Sequence, residues 1–222
     1  MKARTARAKR EGSNMAKAAT LSTVLLSFAL ALLLYPLMPE RMASHWNAAG
    51  DVNGYMPREW GLFLMPALSI LLFLLFLAIP RIDPLKANVA QFRGYFDGFV
   101  LAIEAFLLYI YVLTLAWSFG CRFNMVQMMA IPFGALFFCA GILIGHAKRN
   151  WFIGIRTPWT LSSERVWNDT HRLGAKLFKA SGVIACFGAA FPDYARWLLL
   201  APVVSAAAVS AAYSYFDFKK RQ

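Results

Sequence analysis

Six apolar stretches, each close to the length needed to cross a bilayer, dominate this chain: Leu21–Met38, Gly61–Pro80, Tyr95–Phe119, Asn124–His146, Leu173–Phe191 and Ala195–Phe218. About 20 mostly apolar residues, rising about 1.5 Å each in a helix, span the hydrocarbon core of a membrane. A water-soluble chain of 222 residues could not solvate so much apolar surface, since 59% of the residues are hydrophobic and only 15% are charged. Lipid offers no partner for unpaired backbone groups, so the spans are helical. The expectation is an all-α polytopic membrane protein with six transmembrane helices.

A net charge of +12 would suit nucleic acid if it were gathered on one folded face. Its placement follows the spans instead. With the N-terminus cytoplasmic, 19 of the 23 Lys and Arg fall in 1–20, 81–94, 147–172, the C-terminal tail, or at Lys176 and Lys179. Only Arg41, Arg58, Arg122 and Arg196 fall on the other side. The bias puts both termini in the cytoplasm and argues against direct nucleic-acid binding. The first stretch is not a cleaved signal: its apolar core is too long, and PLMPERMASH offers no small-x-small site. Residues 1–20 read as a basic cytoplasmic arm, disordered and drawn to anionic lipid. Cys121, Cys139 and Cys186 show no CxxC spacing, so neither a disulfide framework nor a metal cluster follows, and no cofactor is expected.

The connections divide the chain further. Residues 21–80 form a two-helix N-terminal membrane domain with an outer loop, 39–60; residues 95–218 form a four-helix membrane domain with a cytoplasmic loop, 147–172. The links 120–123 and 192–194 are so short that the spans they join must be antiparallel neighbours.

The outer loop, MPERMASHWNAAGDVNGYMPREW, holds the turn dipeptides Gly50–Asp51 and Asn53–Gly54 between Pro39 and Pro57. Trp46, Tyr55 and Trp60 suit a membrane interface. Glu40, His45, Asp51 and Glu59 are candidate metal or acid–base groups, but they match no ligand spacing and no metal is assigned. The loop reads as an extracellular recognition surface. The order Pro39…His45–Trp46–Asn47…Gly50–Asp51…Gly54–Tyr55…Pro57 resembles the small N-terminal membrane domain, of DUF1648 type, that precedes an SdpI-type domain; the one departure is Arg58, where the pattern carries Lys.

In the inner loop, NWFIGIRTPWTLSSERVWNDTHRLG, Pro158 forces Thr157 out of the helical region, and Thr160, Ser162 and Ser163 are candidate caps. Val166, Thr170, Leu173 and Leu177 recur on one face, while Arg165, Asp169, Arg172, Lys176 and Lys179 form a charged stripe. This predicts an amphipathic helix on the inner leaflet that bends at Gly174 into the fifth span. Membrane-belt anchoring accounts for Trp151, Trp159 and Trp167, but not for Asn150, Gly154, Arg156, Thr160 and Thr170 among them.

The segment resembles the signature of the SdpI family, bacterial membrane proteins named for immunity to a secreted killing peptide. The pattern falls on Asn150, Ile153, Gly154, Ile155, Arg156, Pro158, Trp159, Thr160, Trp167, Thr170, His171 and Gly174, and with the outer loop the resemblance covers roughly 30–216. It implies a multi-pass protein of the bacterial cytoplasmic membrane that protects the cell against a secreted toxic, bacteriocin-like peptide. In some members it also implies recruitment of a cytoplasmic autorepressor. On that reading His45, Trp46, Asn47, Gly50, Asp51 and Gly54 serve outer recognition. Asn150, Gly154, Arg156, Pro158, Trp159, Thr160, Trp167, Thr170 and His171 serve partner binding inside.

Asp97 and Glu104 lie seven residues apart on one face of the third span, with Glu104 about 10 Å deeper. Acids at depth need a partner, a proton or a cavity, and Lys179 is the candidate partner. Two alternatives stand beside the immunity reading: a membrane enzyme acting on a lipid headgroup or peptide, using His171 with Arg156 and Asp169 or His45 with Asp51, and a small transporter. No GxSxG, HExxH or phosphate-cradling glycine loop supports the enzyme, and no internal repeat supports the transporter.

Overall fold

A computed structural model describes the backbone of residues 2–220 and the side chains of residues 11–220. The chain is all-α apart from one small hairpin. Helix α1 spans Lys2–Leu34, strands β1 and β2 span Arg41–Trp46 and Val52–Pro57, and α2 spans Arg58–Ile82. Then follow α3 (Lys86–Gln91), α4 (Arg93–Ser118), α5 (Met125–His146), α6 (Pro158–Ser162), α7 (Glu164–Cys186) and α8 (Ala195–Lys219).

Among the described residues, five helices are long and apolar enough to cross a membrane: Glu11–Leu37, Arg58–Ile82, Arg93–Ser118, Met125–His146 and Pro192–Lys219. The expected fifth span, 173–191, is not among them. It is the second half of α7 and the 3-10 turn Phe187–Ala189, and its hydropathy is diluted by Lys176, Lys179 and many small residues. The helix expected to bend at Gly174 runs without a break from Glu164 to Cys186. Gly174 lies inside it, and the space of its missing Cβ is taken by the Ile155 side chain.

The arm expected to be disordered also differs. α1 runs through it without a break, and Ser13 and Lys17 dock on Asp97 of α4, Lys17 Nζ at 3.8 Å. The lipid contact expected of the basic side chains before residue 11 lies outside the described residues.

α1 packs along α4, and α7 is clasped between α5 and α8. The α5–α7 seam is made by glycines. A Cβ on Gly182 would lie 2.5 Å from the Gly134 carbonyl oxygen and 2.7 Å from the Phe138 amide nitrogen. A Cβ on Gly141 would lie 2.8 Å from the Lys179 amide nitrogen and 2.9 Å from the Ala175 carbonyl oxygen. Apolar contact with a neighbour gains little over apolar contact with lipid tails, so small residues that let backbones touch are what hold such helices together.

Two apolar clusters close the ends of the bundle. At one end Ala31, Met38, Met42, Leu62, Tyr111 and Leu115 join α1, the hairpin, α2 and α4. At the other, Ile79, Val89, Phe92, Phe96, Leu143, Ile153 and Trp167 join α2 to α5 with the segment after α5 and with α7.

Replacing Gly182 by Leu should lower the melting temperature of the detergent-purified protein by roughly 5 °C or more, since overpacking against backbone costs about 1–3 kcal/mol or more. Gly98, which faces open space, should accept Ala with little change. Equal melting curves for the two variants would contradict the seam.

Candidate functional site

The segment between α5 and α7 folds onto the bundle rather than over it. Asn150, fully buried, uses all of its hydrogen-bonding capacity on local backbone. Its Nδ2 donates to the carbonyls of Lys148 and Ile153, both at 2.8 Å, and its Oδ1 accepts from the amides of Phe152 at 2.9 Å and Ile153 at 2.6 Å. An Asn side chain is here a substitute for secondary structure, satisfying backbone groups that a turn this tight leaves over.

The chain then reaches Gly154 at φ +114, where a Cβ would be strained and would collide with His171 Nε2. One residue on, the Ile155 amide donates to His171 Nε2 at 3.1 Å, while His171 Nδ1 lies 2.8 Å from the Trp167 carbonyl. A carbonyl only accepts and an amide only donates, so the imidazole carries its proton on Nδ1 and is neutral. Burial pushes the His171 pKa down to about 4, against the opposing pull of the Trp167 carbonyl. Trp167, itself fully buried, stacks on the ring at 3.9 Å and donates from Nε1 to the Ala147 carbonyl at 2.9 Å.

Thr160 completes the unit. With Thr157 it forms a reciprocal capping box at the start of α6, and its hydroxyl also donates to the Ile155 carbonyl at 2.9 Å. Thr157 Oγ1 lies 3.0 Å from Ser214 Oγ of α8, and Trp159 packs edge-on against Tyr215 at 5.0 Å. Thr170 is buried, and its hydroxyl has no hydrogen-bond partner among the described residues. Arg156 and Pro158 are the exposed members; Arg156 Nη1 donates to the Trp151 carbonyl at 2.9 Å.

Asn150, Gly154, Thr160, Trp167 and His171 therefore meet in one buried cluster, whose hydrogen bonds go to their own chain. Both ring nitrogens of His171 are engaged by backbone groups, and Asp169 pairs with Arg172 at 3.1 Å. Two residues that the sequence did not single out tie the cluster to α2 and α3. Buried Asp83 accepts the Trp151 amide at 3.0 Å and the Leu85 amide at 2.6 Å, and Asn88 Nδ2 donates to the Arg149 carbonyl at 2.8 Å. The signal for Asp83 was its place before Pro84, at a helix end.

At the opposite end, the expected loop is the β1–β2 hairpin, paired from Arg41↔Pro57 to Trp46↔Val52 with bulges after Ala43 and His45. Asn47 Oδ1 accepts the amides of Ala49 at 2.9 Å and Asp51 at 3.0 Å, closing the turn in which Gly50 sits at φ +88. Asn124, the N-cap of α5, donates to the Ala49 carbonyl at 2.7 Å and so docks the turn on the bundle. His45, Asp51 and Tyr55 are exposed, and His45 Nδ1 lies 2.5 Å from Asn53 Oδ1 rather than against Asp51. Trp46 packs edge-on against Trp117 at 6.2 Å, and a Cβ on Gly54 would lie 2.9 Å from His45 Cβ.

The intramembrane acids are separated. Asp97 takes Arg93 Nε at 2.8 Å, with Ser13 and Lys17, whereas Glu104 is fully buried and bonded by Ser69 of α2. Lys179 pairs with neither; its stem runs along Gly141 of α5.

Residues 146–214 match the SdpI/YfhL protein family, and residues 23–70 match a domain of unknown function, DUF1648. The chain is 26% identical over 201 residues to the immunity protein SdpI of Bacillus subtilis (strain 168), covering 89% of this chain and 93% of that protein. No solved structure matches the chain.

A folded-state pKa near 4, below the usual 6.5, means that the unfolded segment binds the proton more readily. His171 therefore contributes stability that is complete above pH 6.5 and is lost as pH falls toward 4. Protease cleavage within 147–163 should rise over that window in the wild type. In His171→Phe, cleavage should be high and independent of pH over the same range; a wild-type segment equally protected at pH 7 and pH 4 would contradict the neutral-imidazole lock.

Proposed function

We propose that this chain, a member of the SdpI/YfhL family, is a multi-pass immunity protein of the bacterial cytoplasmic membrane that protects its cell against a secreted toxic peptide. The observation that carries the reading is the likeness to an immunity protein across nearly the whole of both chains, the outer hairpin and the inner cluster included. The charge bias supports both termini on the cytoplasmic side, with α7 as a sixth crossing antiparallel to α5. On that topology the hairpin faces outward.

The hairpin is the fitting contact for the toxin. His45, Asp51 and Tyr55 stand exposed on a turn that Asn47 and Asn124 hold rigid, so contact area is offered without ordering a loop. The inner motif has a different part. Its buried members build a fixed platform, and only its exposed rim, with Arg156 and Pro158, is free for a cytoplasmic repressor. Arg156 offers the planar donor fork for such a contact.

The test is expression in a sensitive strain lacking its own immunity protein, challenged with supernatant from a toxin-producing strain. Wild type should restore growth. His45→Ala/Asp51→Ala should reach the membrane in normal amount and protect at least about tenfold less well, the loss expected of a contact worth about 1.4 kcal/mol. Asn150→Ala should instead reduce the amount of folded protein, because it strands four buried hydrogen bonds. Growth no better than with empty vector would overturn the immunity reading, and full protection by the hairpin variant would overturn the hairpin's role.

A further inference from the structure

A cavity of about 870 Å³ is lined by residues of α4, α5 and α7 and by Ala147 and Lys148 at the start of the inner segment. Gly141 and Gly145 of α5 lie along its lining, where the close approach of α7 brings the Lys179 stem against Gly141. Its walls are mixed. Phe92, Tyr95 and Ile142 supply apolar surface, and Tyr95 is held by stacking on His146 at 3.7 Å. Cations supply the rest: Lys148 after α5, and Arg172, Lys176 and Lys179, which follow one face of α7 at spacings of four and three residues.

Charge balance around the groove is uneven. Asp169 is the sole carboxylate among its lining residues, and it pairs with Arg172. Lys148, Lys176 and Lys179 make no ion pair among the described residues. Lys179 is the most demanding of the three. It packs beside Gly141, five residues and about 7.5 Å back from the end of α5, on a face shared with apolar spans. An ammonium at that depth is costly unless it reaches an anion or the interface.

We propose that this groove binds the phosphate headgroup of an anionic glycerophospholipid, with Lys176, Lys179 and Lys148 around the phosphate and an acyl chain along Ile142 and Tyr95. Basic pockets between helices at the cytoplasmic face take such headgroups. A lipid fits better than a peptide because the lining reaches Tyr95, Gly141 and Ile142, which lie within two helices long and apolar enough to cross a membrane. The site goes beyond the immunity reading and does not rest on it: neither the hairpin nor the buried cluster contributes its cations.

The measurement is the melting temperature of the full-length protein in a neutral detergent, titrated with phosphatidylglycerol, with phosphatidylcholine, with inorganic phosphate and with a short acidic peptide. Phosphatidylglycerol alone should raise it, by several degrees at saturation. In Lys176→Gln/Lys179→Gln, which should melt like the wild type without lipid, the rise should shrink to less than half. Native mass spectra should show one phosphatidylglycerol retained by the wild type and lost from the variant. Equal shifts with phosphatidylcholine, an equal shift with phosphate or the acidic peptide, or an undiminished shift in the variant would each overturn the proposal. If the double variant melts lower without lipid, Lys176→Gln alone, at an exposed position, decides by the same comparison.

Discussion

How closely α5 and α7 approach decides most of what else this molecule can do. Backbone meets backbone where Gly134 faces Gly182 and where Gly141 faces Ala175 and Lys179. That contact fixes the axial register of the two helices. α7 consequently begins beyond the end of α5, and its first turns bury Val166, Trp167, Thr170 and His171, with Trp167 in the apolar cluster at that end of the bundle. The segment after His146 has a polar post to fold against, and the Ile155 amide can find the His171 ring. Slide the seam by one residue and that hydrogen bond, the Trp167–Ala147 bond and the landing of Ile155 on Gly174 are lost together.

The same geometry gives the two ends of the bundle opposite characters. At one end the signature residues point inward and are consumed by the fold, so that Asn150, Trp167 and His171 act by holding backbone. At the other, the hairpin buries Met42 and Ala43 and leaves His45, Asp51 and Tyr55 in the open. Scaffold and display surface are thus separated along the helix axes, and five apolar helices lie between them.

Much of this was legible in the sequence. The apolar runs located α2, α4, α5 and α8 to within a few residues, and the short links gave the α4–α5 and α7–α8 pairs. α7 escaped a clean reading because its role is packing: Gly, Ala and Ser make a good seam and a weak hydropathy signal. The hairpin escaped because its strands are short and bulged, although Gly50 and Asn47 announced the turn. The inner motif was found residue by residue, yet periodicity could not say whether Trp167 and Thr160 face a partner or the chain itself. Asp83 and Asn124 act on residues 68 and 75 positions away, a distance at which sequence pattern carries nothing.

Asn124 is a single side chain with two employers. Its Oδ1 accepts the Gln127 amide and so caps α5, while its Nδ2 holds the hairpin turn at Ala49. The backbone of Gly50 passes too close to the Asn124 side chain for a Cβ to fit between them. Starting the helix and seating the hairpin are therefore one event in assembly. The hairpin cannot lengthen between Asn47 and Asp51 without disturbing the helix start beneath it, so variation on its surface is confined to the side chains that point away from that joint.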